Sequence, residues 1–255
     1  MEENRSFLKR KAVPVTRRKK ILLYIVLAVF ITAGAGAAGF VIWALNGYSA
    51  APEAQDCAGQ GSGEPLSFGS GTETAGLIFY PGARVEQEAY SCLAEKIADK
   101  GYFTVVPDMP LNLAIFGRNK AEDIMAANPQ VDEWYLAGHS LGGAMASFFA
   151  ARSTEDLAGL IFVGSYPGAD LSDSDLPVLS VYGERDGLST PEDIFDRADM
   201  LPEETVYMEI EGANHAGFGT YGAQSGDLES LIGPDEQQAK TAEAIHSWIL
   251  DQQRE

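Results

Sequence analysis

Residues 134–150 read WYLAGHSLGGAMASFFA. An apolar run ends at Gly138, and a helix-forming run of small and apolar residues begins after Ser140. Gly138-His139-Ser140-Leu141-Gly142 fits G-x-S-x-G, a sharp strand-to-helix turn that exposes a serine hydroxyl. Side chains two residues either side of that serine would collide, so both positions are glycine. Gly143, Ala144 and Ala146 would then let the helix pack closely on a sheet. The N-terminus of that helix favours a developing negative charge. Ser140 is therefore the candidate nucleophile, with a glycine-rich turn as the plain alternative.

The flanking sequence supports such a sheet. GLIFY (76–80), YFTVVPD (102–108), WYLAG (134–138), LAGLIFVGS (157–165), PVLSVYG (177–183) and TVYMEIEG (205–212) read as strands. Helical patterns at 86–100, 119–128, 141–152, 191–200 and 235–253 alternate with them. Several strands are continuous apolar runs, as expected where helices cover both faces of a parallel sheet. The expected fold class is α/β, a doubly wound, mostly parallel sheet flanked by helices.

A serine hydroxyl needs a base, and the chain has three histidines. His139 lies inside the turn and is expected to point away from the nucleophile. His246 sits on the closing helix and reads as a surface or packing residue. His215, in the loop EGANHAGFG after the last strand, is left as the candidate base. The orienting acid is expected at Asp186, in VYGERDGL at the preceding strand end, with Glu184 and Asp170 as rivals. Serine, acid, histidine is also the chain order found with this turn.

YPGARVE, VVPDMPLNL, GHSLGGAMA, VYGERDG and GANHAGFG together resemble the α/β-hydrolase superfamily. The likeness is to its compact dienelactone-hydrolase-like and small esterase-like branch with an N-terminal membrane anchor, and it covers residues 65–252. It implies an eight-stranded core; the stretch YPGADLSDSDL (166–176) is by itself too short for a large lid, so the site should be open. The resemblance assigns nucleophile to Ser140, acid to Asp186 and base to His215. Acyl transfer also needs two N–H donors for the oxyanion. Leu141 should supply one. The loop Tyr80-Pro81-Gly82-Ala83-Arg84 should supply the other, from Ala83 in preference to Gly82. Many relatives carry a His-Gly-Gly-type sequence there, and this chain does not. MPLNLAIF (109–116) could line an acyl pocket or form a buried connection. Arg84 could bind a substrate carboxylate but reads better as a solvated surface residue.

Outward from this body the composition changes. Residues 1–20 hold eight Lys/Arg and two Glu, which is +6, so residues 21–255 carry −25 of a chain total of −19. Residues 21–45, ILLYIVLAVFITAGAGAAGFVIWAL, are uncharged and long enough to span a bilayer as a helix. The preceding RRKK predicts a cytoplasmic N-terminus and an extracytoplasmic body. The run exceeds a signal-peptide core, so an uncleaved anchor is favoured over a cleaved signal. Gly34, Gly36 and Gly39 would allow close helix pairing, and oligomeric state stays open. The expected organisation is a basic tail (1–20), a transmembrane helix (21–45), a linker (46–64) and the α/β-hydrolase domain (65–255). A Cys57–Cys92 disulfide is possible outside the cytoplasm, and two free thiols are the alternative.

No metal cluster or phosphate loop is apparent, and no cofactor is expected. An acidic body disfavours nucleic acid as a partner. The expected function is a membrane-anchored serine hydrolase acting on a small carboxylic ester. The alternatives are an acyltransferase or peptidase with the same triad, or a non-catalytic binding module.

Overall fold

The computed structural model describes residues 17–61 and 65–254. The chain divides into two compact units, Met1–Trp43 and Ala44–Glu255. In the first, α1 (Arg17–Leu45) is one continuous helix whose Lys19–Leu45 portion has a mean hydropathy of 2.4. It is long and apolar enough to cross a membrane. The tail expected at residues 1–20 lies mostly outside the described residues.

The second unit opens with α2 (Pro52–Ala58) and β1 (Leu66–Phe68). It continues through β2 (Ala75–Tyr80), α3 (Ser91–Ala98), β3 (Phe103–Val106), α4 (Ala114–Gly117), α5 (Lys120–Ala127), β4 (Glu133–His139) and α6 (Leu141–Ala150). It closes with β5 (Gly159–Val163), β6 (Val178–Gly183), α7 (Pro191–Phe195), β7 (Val206–Ile210) and α8 (Pro234–Gln252). The sheet order is β1-β3-β2-β4-β5-β6-β7. β1 pairs antiparallel with β3, and every other pair is parallel.

This is the doubly wound architecture that the apolar runs predict, with one strand fewer than the resemblance implies: seven among the described residues, not eight. The strand missed from the sequence is β1. Its three residues, LSF, are too short to carry a pattern, and Leu66 lies opposite Val106 at the sheet edge.

Strand alternation divides the core in two. Leu77, Phe79, Tyr135 and Ala137 face a cluster with Leu93, Ile97, Ile245 and Trp248, which come from α3 and α8. Ile78, Tyr80, Trp134 and Leu136 face Ile124, Met145 and Phe149, from α5 and α6. Each fully buried Leu, Ile or Phe side chain contributes about 1.5–3 kcal/mol.

The topology fixes where a site can form. The chain leaves β2 for β3 on one side and returns to β4 on the other, so the carboxyl ends of β2 and β4 lie side by side, with Tyr80 opposite Gly138. Such a reversal opens a crevice beyond the strand ends.

The stretch expected as a linker is built into this body. Ala54 of α2 is fully buried, and the Tyr48 amide donates to the Arg84 carbonyl at 2.7 Å. Cys57 is bonded to Cys92 of α3, with Cα atoms 5.1 Å apart. The bond closes a loop with a sequence separation of 35 residues. Cys57→Ser or Cys92→Ser should therefore lower the unfolding free energy of the body by about 2–4 kcal/mol, measured by chemical denaturation of the full chain in detergent micelles.

Candidate active site

Ser140 sits between β4 and α6 at φ 52°, ψ −124°. A non-glycine residue held there stores about 1–3 kcal/mol of strain. The Ser140 amide donates to Val163 of β5, and Ser165 Oγ donates to the Ser140 carbonyl at 2.6 Å. The flanking glycines are there for contact. A Cβ on Gly138 would meet the Gly142 carbonyl carbon at 2.4 Å, and one on Gly142 would meet the Tyr80 carbonyl oxygen at 2.1 Å. The turn is thus pressed against the loop that follows β2. The Leu141 and Ala83 amides have no protein acceptor among the described residues, whereas the Gly82 amide donates to Tyr90 Oη at 2.9 Å.

Asp186 and His215 meet. Asp186 Oδ2 accepts from His215 Nδ1 at 2.8 Å, and both side chains are buried. Asp186 Oδ1 accepts from the Leu188 and Ser189 amides at 2.9 and 2.7 Å. Donation from Nδ1 leaves His215 Nε2 as the acceptor nitrogen. That atom is buried and without a partner, and no hydrogen bond joins it to Ser140 among the described residues. The fold therefore joins Asp186 and His215 directly, while Ser140 stands on its own turn.

The rival acids are engaged elsewhere. Glu184 accepts from the Gly212 amide, and Asp170 from Ser172. His246 bonds Tyr102 Oη at 2.8 Å, a packing role. Arg84 donates to the Asn46 carbonyl rather than standing free in solvent. In the 109–116 stretch, Met109, Leu113 and Ala114 are buried while Ile115 and Phe116 are more than half exposed. The connection from β5 to β6 carries no helix or strand, so no lid covers this edge there.

His139 departs from expectation. Its ring packs 4.4 Å from the His215 ring rather than away from the site. It is fully buried, and desolvation, followed by the neighbouring His215, holds it well below the usual histidine range. A histidine with a depressed folded pKa favours folding at neutral pH and loses that contribution as pH falls through the unfolded value of about 6.5. Below that pH the unfolding free energy should drop by at most about 1.4 kcal/mol per pH unit on this account. Denaturation at several pH values should show a shallower dependence for His139→Gln.

Asp227 was not visible as a site residue from the sequence. Its Oδ1 accepts from the Gly187 and His215 amides at 3.0 and 3.2 Å, and Oδ2 from the Ala216 amide at 2.8 Å. One carboxylate thus ties the loop of Asp186 to the loop of His215. The only sequence signal was an aspartate after glycine in a polar loop. Asp227→Ala should cost about 1–3 kcal/mol by leaving these donors unpaired, with Asp227→Asn intermediate, read as a lowered denaturation midpoint.

The family model described as "Alpha/beta hydrolase family" matches residues 76–239, which include all of β2 but Ala75, the serine turn, Asp186, His215 and Asp227. The chain belongs to the alpha/beta hydrolase family. No curated protein matches the sequence. Among solved structures, the α/β hydrolase chain is similar to a bacterial membrane phospholipase A described as a virulence factor. Identity is 14%, coverage is 93% of this chain and 100% of that one, and the TM-score is 0.62. A thermophilic esterase from Thermogutta terrifontis matches with 14% identity, 76% and 97% coverage and a TM-score of 0.57. A monoacylglycerol lipase from Paleococcus ferrophilus gives 14%, 71% and 97%, and 0.54. At these identities the likeness is one of fold.

Proposed function

We propose that this α/β hydrolase is a membrane-anchored serine hydrolase that cleaves carboxylic esters outside the cytoplasm. The observation that carries the proposal is the buried Asp186–His215 pair, packed 4.4 Å from the ring of His139, whose chain neighbour Ser140 is held in the strained turn. In this mechanism Ser140 Oγ attacks the ester carbonyl as His215 Nε2 takes its proton. Asp186 keeps the proton of the other ring nitrogen on Nδ1 and stabilises the imidazolium. The tetrahedral oxyanion is held by the amides of Leu141 and Ala83. Collapse transfers the proton from His215 to the departing alkoxide and leaves an acyl-serine. Water, deprotonated by the same histidine, then releases the acid and regenerates Ser140.

Gly82 is already committed to Tyr90, which favours Ala83 as the loop donor. The solved structures of similar fold are named as a phospholipase A, an esterase and a lipase, which favours an ester over a peptide substrate. The uncharged helix preceded by RRKK supports an anchor with a cytoplasmic N-terminus, and the Cys57–Cys92 bond suits an oxidising compartment. The proposed layout is a basic tail (1–20), a membrane helix (21–45), a connecting segment (46–64) and a catalytic domain (65–255).

A fluorophosphonate should add once to the full chain, at Ser140, by intact-mass and peptide analysis. Ser140→Ala should abolish the adduct, and His215→Ala should slow turnover of a p-nitrophenyl ester by at least about 10³-fold. Absence of an adduct on folded protein would point instead to a binding module. Aminolysis or alcoholysis products outrunning the free acid would mark a transferase.

A further inference from the structure

We infer that Tyr90 and His139 are positioning residues that hold the loop carrying the oxyanion donor in register with the base. The inference rests on the assignment of Ala83 and His215 made above, and it gives a part to two residues to which neither the motif nor the triad assigns one.

Tyr90 Oη is the centre of a three-membered polar chain. It accepts the Gly82 amide at 2.9 Å and lies 2.8 Å from His139 Nδ1. The phenol is fully buried, which pushes its pKa up and keeps its proton in place. That single proton goes to His139 Nδ1, the one other polar atom bonded to Oη among the described residues. His139 is therefore the tautomer protonated at Nε2. A neutral ring is what its surroundings favour.

The chain depends on a missing side chain. A Cβ on Gly82 would come within 2.8 Å of Tyr90 Oη and 3.0 Å of His139 Nδ1. The Gly82 carbonyl in turn accepts from the Val85 amide at 3.4 Å. In a trans peptide the N–H points opposite to the C=O, so this directs the Ala83 amide away from Val85. The inner end of the loop is thus pinned at both peptide planes around Gly82. Its outer end is pinned independently, where the Arg84 amide donates to the Asn112 carbonyl at 2.6 Å.

The far end of the chain reaches the base. The His139 ring is 4.4 Å from His215 and 5.7 Å from both Tyr90 and Phe218. Its Nε2 is buried without a partner. His139 is also the residue before Ser140, so displacing its ring displaces the strand end that carries the nucleophile. Tyr90 and His139 thus connect three separately encoded parts: the loop after β2, the serine turn and the loop after β7. Neither is argued to touch substrate.

The test has two readouts. The first needs no catalysis. In ¹⁵N-labelled full-length protein in micelles, His139 should show an unprotonated Nδ1 and a protonated Nε2, and the Gly82 amide should be protected from hydrogen exchange. Tyr90→Phe, which keeps the ring but removes Oη, should abolish that protection. The second is ester turnover. Tyr90→Phe should lower kcat about 10–100-fold, within the range for a displaced oxyanion donor, with KM within about twofold. His139→Phe should do the same, while His139→Gln, which retains an acceptor for the phenol, should recover part of the loss.

A protonated Nδ1 on His139, or an unchanged Gly82 amide in Tyr90→Phe, would overturn the inference. So would a full kcat in Tyr90→Phe when the parent is active. If the parent neither hydrolyses esters nor labels at Ser140, the functional proposal fails by itself, and the exchange and ¹⁵N results still decide the positioning role. The ¹⁵N measurement on the parent decides the tautomer even if Tyr90→Phe does not fold.

Discussion

The contact between Gly142 and the Tyr80 carbonyl is the constraint from which the site follows. A methyl group at that position would sit 2.1 Å from the oxygen. Only a glycine lets α6 start so close to the end of β2, and only that approach brings the serine turn against the loop bearing Gly82 and Ala83. Ser140 absorbs the consequence as backbone strain at φ 52°. Interior packing of Met145, Ala146 and Phe149 beneath α6 keeps the strain from relaxing.

Beyond the turn, the site is organised by carboxylates that accept backbone amides. Asp186 takes two amides of its own loop besides the His215 ring, and Asp227 takes amides on both sides of the pair. Backbone donors of this sort are fixed by the fold and do not rotate away. They hold the Asp186 and His215 loops at a defined separation. The same logic explains Tyr90, whose phenol replaces a peptide carbonyl as the acceptor for Gly82.

The segment between α1 and the sheet is also structural. α2 is covalently tied to α3, and Tyr48 and Ala51, just before it, donate their amides to the Arg84 and Thr220 carbonyls. A chain stretch rich in Gly, Ala and Ser thereby becomes part of the wall behind the His215 loop. Its composition alone suggested a spacer, because the contacts that order it come from residues far along the chain.

What the sequence determined by itself is local. The apolar runs marked six of the seven strands among the described residues, since β2 to β6 are buried along nearly their whole length and the half-buried β7 still carries four apolar residues in five. The G-x-S-x-G spacing marked the serine turn, since its sterics involve residues two apart. The position of Asp186 and His215 just past strand ends singled out two side chains that the fold joins by a hydrogen bond. A run of 25 uncharged residues marked the helix that can cross a membrane. Tertiary structure alone decided the rest. Tyr90 and His139 are 49 residues apart, Asp186 and His215 29, and Cys57 and Cys92 35. No period or propensity encodes such pairings, because each depends on where the sheet delivers two distant chain segments. His139 shows the difference most clearly. Its place in the motif gave no sign of a contact with His215, and the β4–β5 register with the loop after β7 packs the two rings 4.4 Å apart.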